Sequence, residues 1–409
     1  MDGRKMALFA LASIPLVMTL GNSMLIPILP LMEKEIEITA VQSSLIITIY
    51  SIVAIILIPF AGYLSDRIGR KKVIIPSLII TAIGGGICAF AAWKMEQPYV
   101  LILVGRFLQG IGAAGAFPVV LPTVGDMFED EQDVSAGLGI IETSNTFGKV
   151  LSPIIGALLA ISIWFLPFVF IPIFSSIAII LMVFFVKPKP HKKEGQTTTS
   201  FKQFLNQIKE IFHHNGKWLL STFAIGCLNM FILFGFLFHF SSLLEETYRL
   251  NGVWKGVVLA IPLLFLCIAS FVAGKKIGKN KIVMKWVIFV GNLTAAISLF
   301  FVKTDSVLWF YTLLLSIAGI GIGLSLPALD ALITEGVEKQ VRGTITSLYS
   351  SMRFLGVAAG PLLIALIMDI EASYIYYLLA GTSVVACILT FVLIRPTKED
   401  NNTAVPKPT

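Results

Sequence analysis

The sequence GIGAAGAFP at residues 110–118 returns as GIGIGLSLP at residues 319–327, with the first two Gly and the Pro in the same places. The two copies lie 209 residues apart in a chain of 409 residues, so one falls in each half. A second pair, FGKVLSP at 147–153 and LGVAAGP at 355–361, keeps this spacing to within one residue. The repeat therefore predicts two related halves of similar architecture.

The composition of the chain is typical of a membrane protein. Hydrophobic residues make up 56% of the sequence and charged residues only 13%, with a mean hydropathy of +0.88. Apolar runs of about 20 residues, long enough to cross a bilayer as helices, recur along the whole length. We place twelve such spans, near residues 7–31, 42–63, 73–93, 98–121, 135–160, 163–186, 218–241, 253–273, 284–302, 306–329, 343–368 and 372–394.

The spans and the repeat together predict the domain organisation. We expect an all-α integral membrane protein with twelve transmembrane helices in two pseudo-symmetric six-helix bundles, residues 1–186 and 218–395. A polar linker at residues 187–217 joins the bundles. From Phe201 onward its apolar residues keep helical spacing, which predicts an amphipathic helix on the inner membrane surface. Residues 396–409 form a polar cytoplasmic tail.

The positive charges indicate how the chain is oriented. Most of the 31 Lys and Arg residues fall in loops and tails that share one side of the membrane with both termini. The loops on the other side carry only Lys34, Lys94, Arg249, Lys255 and Lys303. This bias predicts a multi-pass protein of the cell membrane, of bacterial type, with both termini cytoplasmic. It accounts for the net charge of +7 without a nucleic-acid partner, and we expect a monomer in the lipid bilayer.

No residue pattern predicts a metal site or a bound cofactor. The four cysteines lie inside apolar runs and indicate packing rather than a disulfide. The adjacent His213 and His214 lack further ligands nearby, so we expect no metal there.

Three segments resemble signatures of a known transporter family. GYLSDRIGRKK at residues 62–72 is similar to the loop between helices 2 and 3 of the major facilitator superfamily, a family of twelve-helix secondary transporters. ILVGRFLQGIGAA at 102–114 resembles its fourth-helix motif. LGNSMLIPILPL at 20–31 resembles the first-helix motif of its exporters, and there Pro27 and Pro30 predict a break near the outer end of the helix.

The fifth span carries a partial match to the antiporter motif of the same family. Gly148, Pro153 and Gly156 match that motif, whereas Ser152 and Ala157 stand where glycines are usual. The resemblance implies antiport, and the small residues predict close packing of this span on a neighbour, which we expect to be span 8.

The resemblance also implies a conformational gate and a coupling residue. The gate would comprise Gly62, Asp66, Arg67, Gly69, Arg70 and Asp126. In it, Asp66 would accept hydrogen bonds at the start of span 11 near Gly343 and Thr344, while Arg70 would pair with Asp126. We expect Gly62 and Gly69 to permit turns. Arg106, in the fourth-helix motif, would take part in proton coupling.

One face of the fifth span carries the clearest candidates for chemistry. Glu142, Asn145, Thr146 and Lys149 follow the i, i+3, i+4, i+7 spacing of one helical face. Ionisable groups inside a bilayer are costly, so Glu142 is a candidate for proton coupling and Lys149 and Asn145 for the substrate cavity. Arg353 of span 11 is a further cavity candidate. A static ion pair or hydrogen-bond network that clamps two helices is the alternative explanation for these charges.

The other cavity candidates are aromatic or neutral polar residues. Span 7 is rich in Phe and carries Asn229, Phe231 and Phe234, and span 2 carries Tyr50. An aromatic cavity with few polar groups suits lipophilic or amphipathic molecules. Packing between helices is the alternative for each of these residues.

Two transport functions remain open at this point. One is multidrug efflux, in which a secondary active transporter exports small lipophilic or amphipathic compounds by proton antiport and alternating access, with the proton gradient in place of a cofactor. The other is a dedicated exporter or flippase of one metabolite, sugar or lipid. We disfavour an enzyme because no paired polar catalytic set appears at a membrane face. We disfavour a sensor because the linker and tail are too short for an output domain.

Overall fold

The structure, a computed structural model, is entirely helical over the residues it describes. Those residues are 3–128, 131–186, 201–278, 280–303, 306–337, 339–368 and 374–395. Side chains are described throughout these ranges except at 131–136, 201–208, 210–215, 335 and 339–343. Residues 187–200 of the predicted linker, the predicted tail and the side chains of His213 and His214 lie outside this description.

The chain forms thirteen helices within the described ranges. They are α1 (Gly3–Ser23), α2 (Leu29–Glu35), α3 (Ala40–Ile68), α4 (Arg70–Lys94), α5 (Tyr99–Met127), α6 (Glu131–Ser162), α7 (Leu166–Phe185), α8 (Phe201–Glu246), α9 (Gly252–Lys276), α10 (Lys281–Phe300), α11 (Leu308–Gly336), α12 (Lys339–Met368) and α13 (Ile375–Leu393). With α1 and α2 counted as one, twelve segments are long and apolar enough to cross a membrane, which confirms the predicted number.

Helix ends differ from the ends of the apolar runs. The first span is interrupted where Pro27 and Pro30 predict it, by a 3-10 turn between α1 and α2. The eleventh helix continues to Gly336, seven residues past the predicted end of its span at 329. The eighth runs from Phe201 to Glu246 without a break, so the residues assigned to a surface helix continue directly into span 7. Its position at the membrane surface stays a prediction.

The connection between α3 and α4 is a single residue. Gly69 lies between Ile68 and Arg70 with a φ of 100°, a conformation that favours glycine and confirms the predicted turn. Gly62, in contrast, lies within α3, so the turn predicted there is wrong. A Cβ atom at this position would lie 3.4 Å from the Ser347 hydroxyl oxygen of α12. Gly62 therefore faces α12, where a Cβ atom would make an ordinary van der Waals contact.

The helices pack in the same order in both halves of the chain. In the N-terminal half α1 packs on α6, α3 packs on α5, and α4 lies against α5 and α7. In the C-terminal half α8 packs on α12, α9 packs on α11, and α10 lies against α11 and α13. The halves meet where α3 contacts α12 and where α6 contacts α9. These two contacts are equivalent, because α9 is the counterpart of α3 and α12 is the counterpart of α6.

The repeated glycines make equivalent contacts in the two halves. A Cβ atom on Gly110 would lie 2.5 Å from a carbonyl oxygen of α3, and one on Gly319 would lie 2.5 Å from a carbonyl oxygen of α9. Gly112 and Gly321 approach α4 and α10 in the same way, at 2.4 and 2.3 Å. The repeat thus preserves the residues that let α5 and α11 pack closely on two neighbours each.

The small residues of α6 contact two helices rather than the one we expected. Pro153 lies against α9, where its carbonyl oxygen is 2.4 Å from the position of a Cβ on Gly256. Gly148 and Gly156 lie against the first span instead, and a Cβ on Gly156 would be 2.1 Å from the Met24 carbonyl oxygen. The expectation that all three pack on span 8 is therefore wrong for the glycines. They lie on a different side of α6 from the Pro153 carbonyl.

We expect Gly156→Ala to lower the thermal midpoint of the purified protein. The new methyl group would overlap a backbone oxygen that only a helix shift can move away, and overpacking of this kind costs about 1–3 kcal/mol. Gly139→Ala in the same helix is the matched control, because no atom lies within 4 Å of its Cβ position. Equal midpoints for both variants, measured by the monodisperse fraction after heating in detergent, would contradict the close contact.

Candidate functional site

A small pocket lies between the two halves, next to the contact of α6 with α9. Lys149 of α6 is one of the residues that line it. Its walls come from the first span, α6, α8 and α9, and comprise Ser23, Ile26, Lys149, Ser152, Pro153, Leu233, Phe234, Leu237, Leu259 and Leu263. The pocket is thus a mainly apolar chamber with one ionisable group, built by both halves.

Lys149 is buried without a direct partner. The residue is 8% exposed, and its ammonium group makes no hydrogen bond or ion pair with any residue that the structure describes. Glu142, Asp330 and Arg353 are near enough to act on it electrostatically but do not contact it. Lys149 and Glu142, which both lie on α6, form no direct ion pair among the described side chains.

An ion pair of the C-terminal half faces Lys149 across the interface. Arg353 Nη1 of α12 lies 3.7 Å from Asp330 Oδ1 of α11, and the Arg353 guanidinium carbon lies 5.7 Å from the centre of the Tyr349 ring. The sequence does not identify Asp330 as a candidate, because the predicted end of span 10 at residue 329 places its carboxylate in a loop. The available signal was its position three residues after the repeated Pro327.

Glu142 and Asn145 belong to a hydrogen-bond chain that ties α6 to α1. The Thr19 hydroxyl donates to Asn145 Oδ1 at 2.6 Å, and Asn145 Nδ2 donates to Glu142 Oε1 at 3.2 Å. Asn145 is 4% exposed and is covered by α1. The predicted polar face of α6 is therefore divided, with Lys149 in the pocket and Asn145 in a helix contact.

Arg106 lies inside the N-terminal half, away from the pocket. It is fully buried and donates to the Ile46 carbonyl at 2.8 Å, to Gln109 Oε1 at 2.6 Å and to Asn22 Oδ1 at 2.5 Å. Its guanidinium carbon lies 4.5 Å from the centre of the Tyr50 ring. These contacts join the first span, α3 and α5. The role of Arg106 in proton coupling stays a prediction.

The neutral cavity candidates separate into one pocket residue and three packing residues. Phe234 lines the pocket. Asn229 is fully buried between α8 and α11, where its Nδ2 donates to Ser325 at 2.9 Å. Phe231 packs in a hydrophobic cluster to which both halves contribute, and Tyr50 lies between Arg106 and Phe354 of α12. In this conformation these three side chains do not line the pocket.

The gate residues come together at the predicted inner end of the bundle. Arg70 pairs with Asp66 one turn earlier and, through Nε, with Asp126 Oδ2 at 3.1 Å. The structure thus contains the pair between Arg70 and Asp126 that the resemblance implies. Asp66 lines a crevice with Thr344 of α12, and Arg67 lies exposed with its guanidinium carbon 5.6 Å from the centre of the Tyr63 ring. Opening of this contact during transport stays a prediction.

A second charge cluster, which the sequence did not predict, joins the halves at the opposite end. Glu245 of α8 binds Lys34 of α2 at 2.6 Å and Lys255 of α9 at 2.8 Å. We had placed both lysines in external loops, yet the Lys255 side chain is only 3% exposed. Next to it the Ser43 hydroxyl donates to Glu33 at 2.5 Å. We call Lys34, Glu245 and Lys255 the outer cluster.

Comparisons with known proteins agree with this architecture. The chain is 52% identical over 394 residues to a bacillibactin exporter of Bacillus subtilis, covering 96% of this chain and 97% of that protein. It is 26% identical over 376 residues to multidrug resistance protein 2 of the same organism, covering 91% of each. The crystal structure of a D-xylose-proton symporter superposes with a TM-score of 0.80 at 13% identity, covering 96% of this chain and 98% of the symporter.

The family model matches most of the chain. The model described as Major Facilitator Superfamily matches residues 11–361 and, in a second overlapping match, residues 285–409. Together with twelve apolar helices in two equivalent halves, this match leads to one conclusion: the chain is a multi-pass membrane protein that belongs to the major facilitator superfamily of transporters.

Proposed function

We propose that this protein is a secondary active exporter of a small organic molecule, which it moves by alternating access of the pocket between its halves. The observation that carries the proposal is the meeting of ionisable residues from both halves at one interface. Lys149 comes from α6, and Asp330 and Arg353 come from α11 and α12. Such residues inside a bilayer are expensive and are best explained by a substrate or ion pathway.

Two substrate ranges are compatible with this site. We favour a dedicated exporter of bacillibactin or a compound related to it, because the relative with that activity is 52% identical along nearly the whole chain. Multidrug efflux is the second candidate, supported by a relative at 26% identity and by the apolar walls around Phe234.

Proton antiport is the proposed driving mechanism. The partial antiporter motif of α6 favours it, and Glu142 and Asp330, which both act electrostatically on Lys149, would be the carboxylates that exchange protons as the halves move. The predicted orientation, with both termini cytoplasmic, would let protons enter from outside while the substrate leaves.

The proposed function is tested by transport into liposomes that contain the purified protein, in which the molecules with an inverted orientation carry out uptake. Bacillibactin uptake should require a proton gradient and should release protons, which a pH-sensitive dye detects. We expect Asp330→Asn to slow gradient-driven uptake about tenfold, equivalent to about 1.4 kcal/mol in the rate-limiting barrier. Glu96→Gln, at an exposed position on the loop between α4 and α5, is the control and should transport normally.

Each part of the proposal can fail separately. Uptake that persists without any proton movement would overturn antiport but leave export intact. Uptake of lipophilic drugs without uptake of bacillibactin would favour multidrug efflux. No transport of either class by folded protein would overturn the export proposal.

A further inference from the structure

We propose that Lys149 and the apolar residues around it form a binding subsite for an organic anion with an apolar body. The acidic group of the ligand would pair with the Lys149 ammonium, and its body would contact the leucine and phenylalanine side chains of α8 and α9. This inference rests on the proposed function, since it names the chemical class that the pocket between the halves would accept.

The unpaired state of Lys149 is the first argument. Among the described residues, the other buried lysine and arginine side chains are Lys255 and Arg106, and each has direct partners. Arg106 donates to three oxygen atoms, and Lys255 pairs with Glu245. Lys149 is 8% exposed and has none among the described residues. A buried ammonium without a partner is costly, so a bound anion would supply a missing interaction.

The neighbouring carboxylates do not supply that interaction. Asp330 is engaged with Arg353, and Glu142 accepts a hydrogen bond from Asn145. Both are near enough to attract Lys149 electrostatically, yet neither contacts it. No described side chain therefore takes up the three donors of the ammonium. An acidic ligand could use them without first displacing a protein carboxylate.

The walls of the pocket indicate the rest of the ligand. Leu233, Phe234 and Leu237 of α8 and Leu259 and Leu263 of α9 supply a continuous apolar surface opposite Lys149. Hydroxyl groups come only from Ser23 and Ser152, and the Ser152 hydroxyl is already bound to the Lys149 carbonyl at 3.0 Å. A cationic ligand would be repelled by Lys149, and a small hydrophilic anion would leave the leucines uncovered. In this conformation the pocket has room for little more than one water molecule, so an aromatic or aliphatic acid would contact both sides of it once the halves move apart.

Three probes that share one body but differ in charge test the proposal. We would measure the Kd of 2-naphthoate, 2-naphthamide and 2-naphthylmethylammonium for the purified full-length protein in detergent by isothermal titration calorimetry. The wild type should bind the anion about tenfold more tightly than the amide, which corresponds to about 1.4 kcal/mol, and should bind the cation least. Lys149→Gln should remove the preference for the anion, and Lys149→Arg should retain it.

Two further variants separate charge from apolar contact. Leu263→Ala should raise the Kd of the anion and the Kd of the amide by similar factors, because it removes apolar wall surface and no charge. Lys94→Gln, at an exposed position at the end of α4, is the matched charge control and should leave every Kd unchanged. Each variant is compared with the wild type by thermal midpoint, so that misfolded protein is recognised. Should Lys149→Gln misfold, the Lys149→Arg variant and the wild-type order of affinities still decide the question.

The proposal is overturned if the wild type binds the amide as tightly as the anion, or if folded Lys149→Gln keeps the anion preference. The binding experiment requires no transport, so it fails independently of the proposed function. Export of bacillibactin without any anion preference would support the proposed export function and contradict the anion subsite. Anion preference without transport would support the subsite and contradict the export function.

Discussion

Arg106→Ala should greatly reduce the fraction of the purified protein that is folded and monodisperse. The guanidinium group is fully buried and satisfies the Ile46 carbonyl, the Gln109 amide oxygen and the Asn22 amide oxygen at once. Its removal leaves the Gln109 and Asn22 amide oxygens without this donor and removes a second bond to the Ile46 carbonyl, which keeps its place in the α3 helix, at an expected cost of about 3 kcal/mol in the free energy of unfolding. The face of the Tyr50 ring also loses its cation.

The conservative variant Arg106→Lys distinguishes charge from geometry. An ammonium lacks the planar fork that reaches acceptors on different helices, so we expect a midpoint between those of Arg106→Ala and the wild type. Arg67→Ala, at an exposed residue on α3, is the matched control and should be nearly neutral. The size-exclusion profile and thermal midpoint in detergent measure all three. An Arg106→Ala protein as stable as Arg67→Ala would contradict the structural role.

The fold could be predicted because it depends on features that are local or repeated in the sequence. A bilayer admits few alternatives to helices, so apolar runs give the number of spans directly. Gly110 and Gly112 recur as Gly319 and Gly321 because equivalent helices must pack closely in both halves. Helix ends were harder to predict, since α11 continues for seven residues beyond its apolar run once polar residues can face protein or water.

The site could be predicted only in part, because helical spacing does not identify the neighbour that covers each side. Glu142, Asn145 and Lys149 share a face, as their spacing predicts. That face is wide enough for Asn145 to bind Thr19 of α1 while Lys149 enters the pocket. The contribution of Asp330 depended on a helix end, and a hydropathy pattern determines helix ends least precisely.

Contacts between distant residues left no sequence signal at all. Lys34 and Glu245 are 211 positions apart and lie near the ends of their helices, where charged residues are common. Nothing in either segment distinguishes a solvated lysine from Lys255, whose side chain is 3% exposed. Only the packing of α8 on α2 and α9 shows that these charges form one cluster.

Glu245→Gln should destabilise the protein strongly, because Glu245 is the shared anion of the outer cluster. Lys255 would stay buried at 2% exposure without its carboxylate, and removal of one partner of a buried pair costs about 3–5 kcal/mol. A lower thermal midpoint would measure this loss. The double variant Glu245→Gln, Lys255→Met removes both charges and should recover much of the midpoint. Lack of recovery would show that the loss does not arise from the unpaired lysine.

Lys34→Gln isolates the link between the halves. The Lys34 side chain is 60% exposed, so the ion pair itself should contribute no more than about 1 kcal/mol, and Glu245 keeps Lys255 as its partner. The thermal midpoint should therefore hardly change, while the predicted outer end loses an attraction across the interface and should open more often.

Ser241 can report this opening, because it is 1% exposed and its hydroxyl donates to the Ile26 carbonyl. In a variant without native cysteines, Ser241→Cys should react faster with a membrane-impermeant maleimide when Lys34 is replaced. Equal labelling rates would mean that apolar packing alone closes this end.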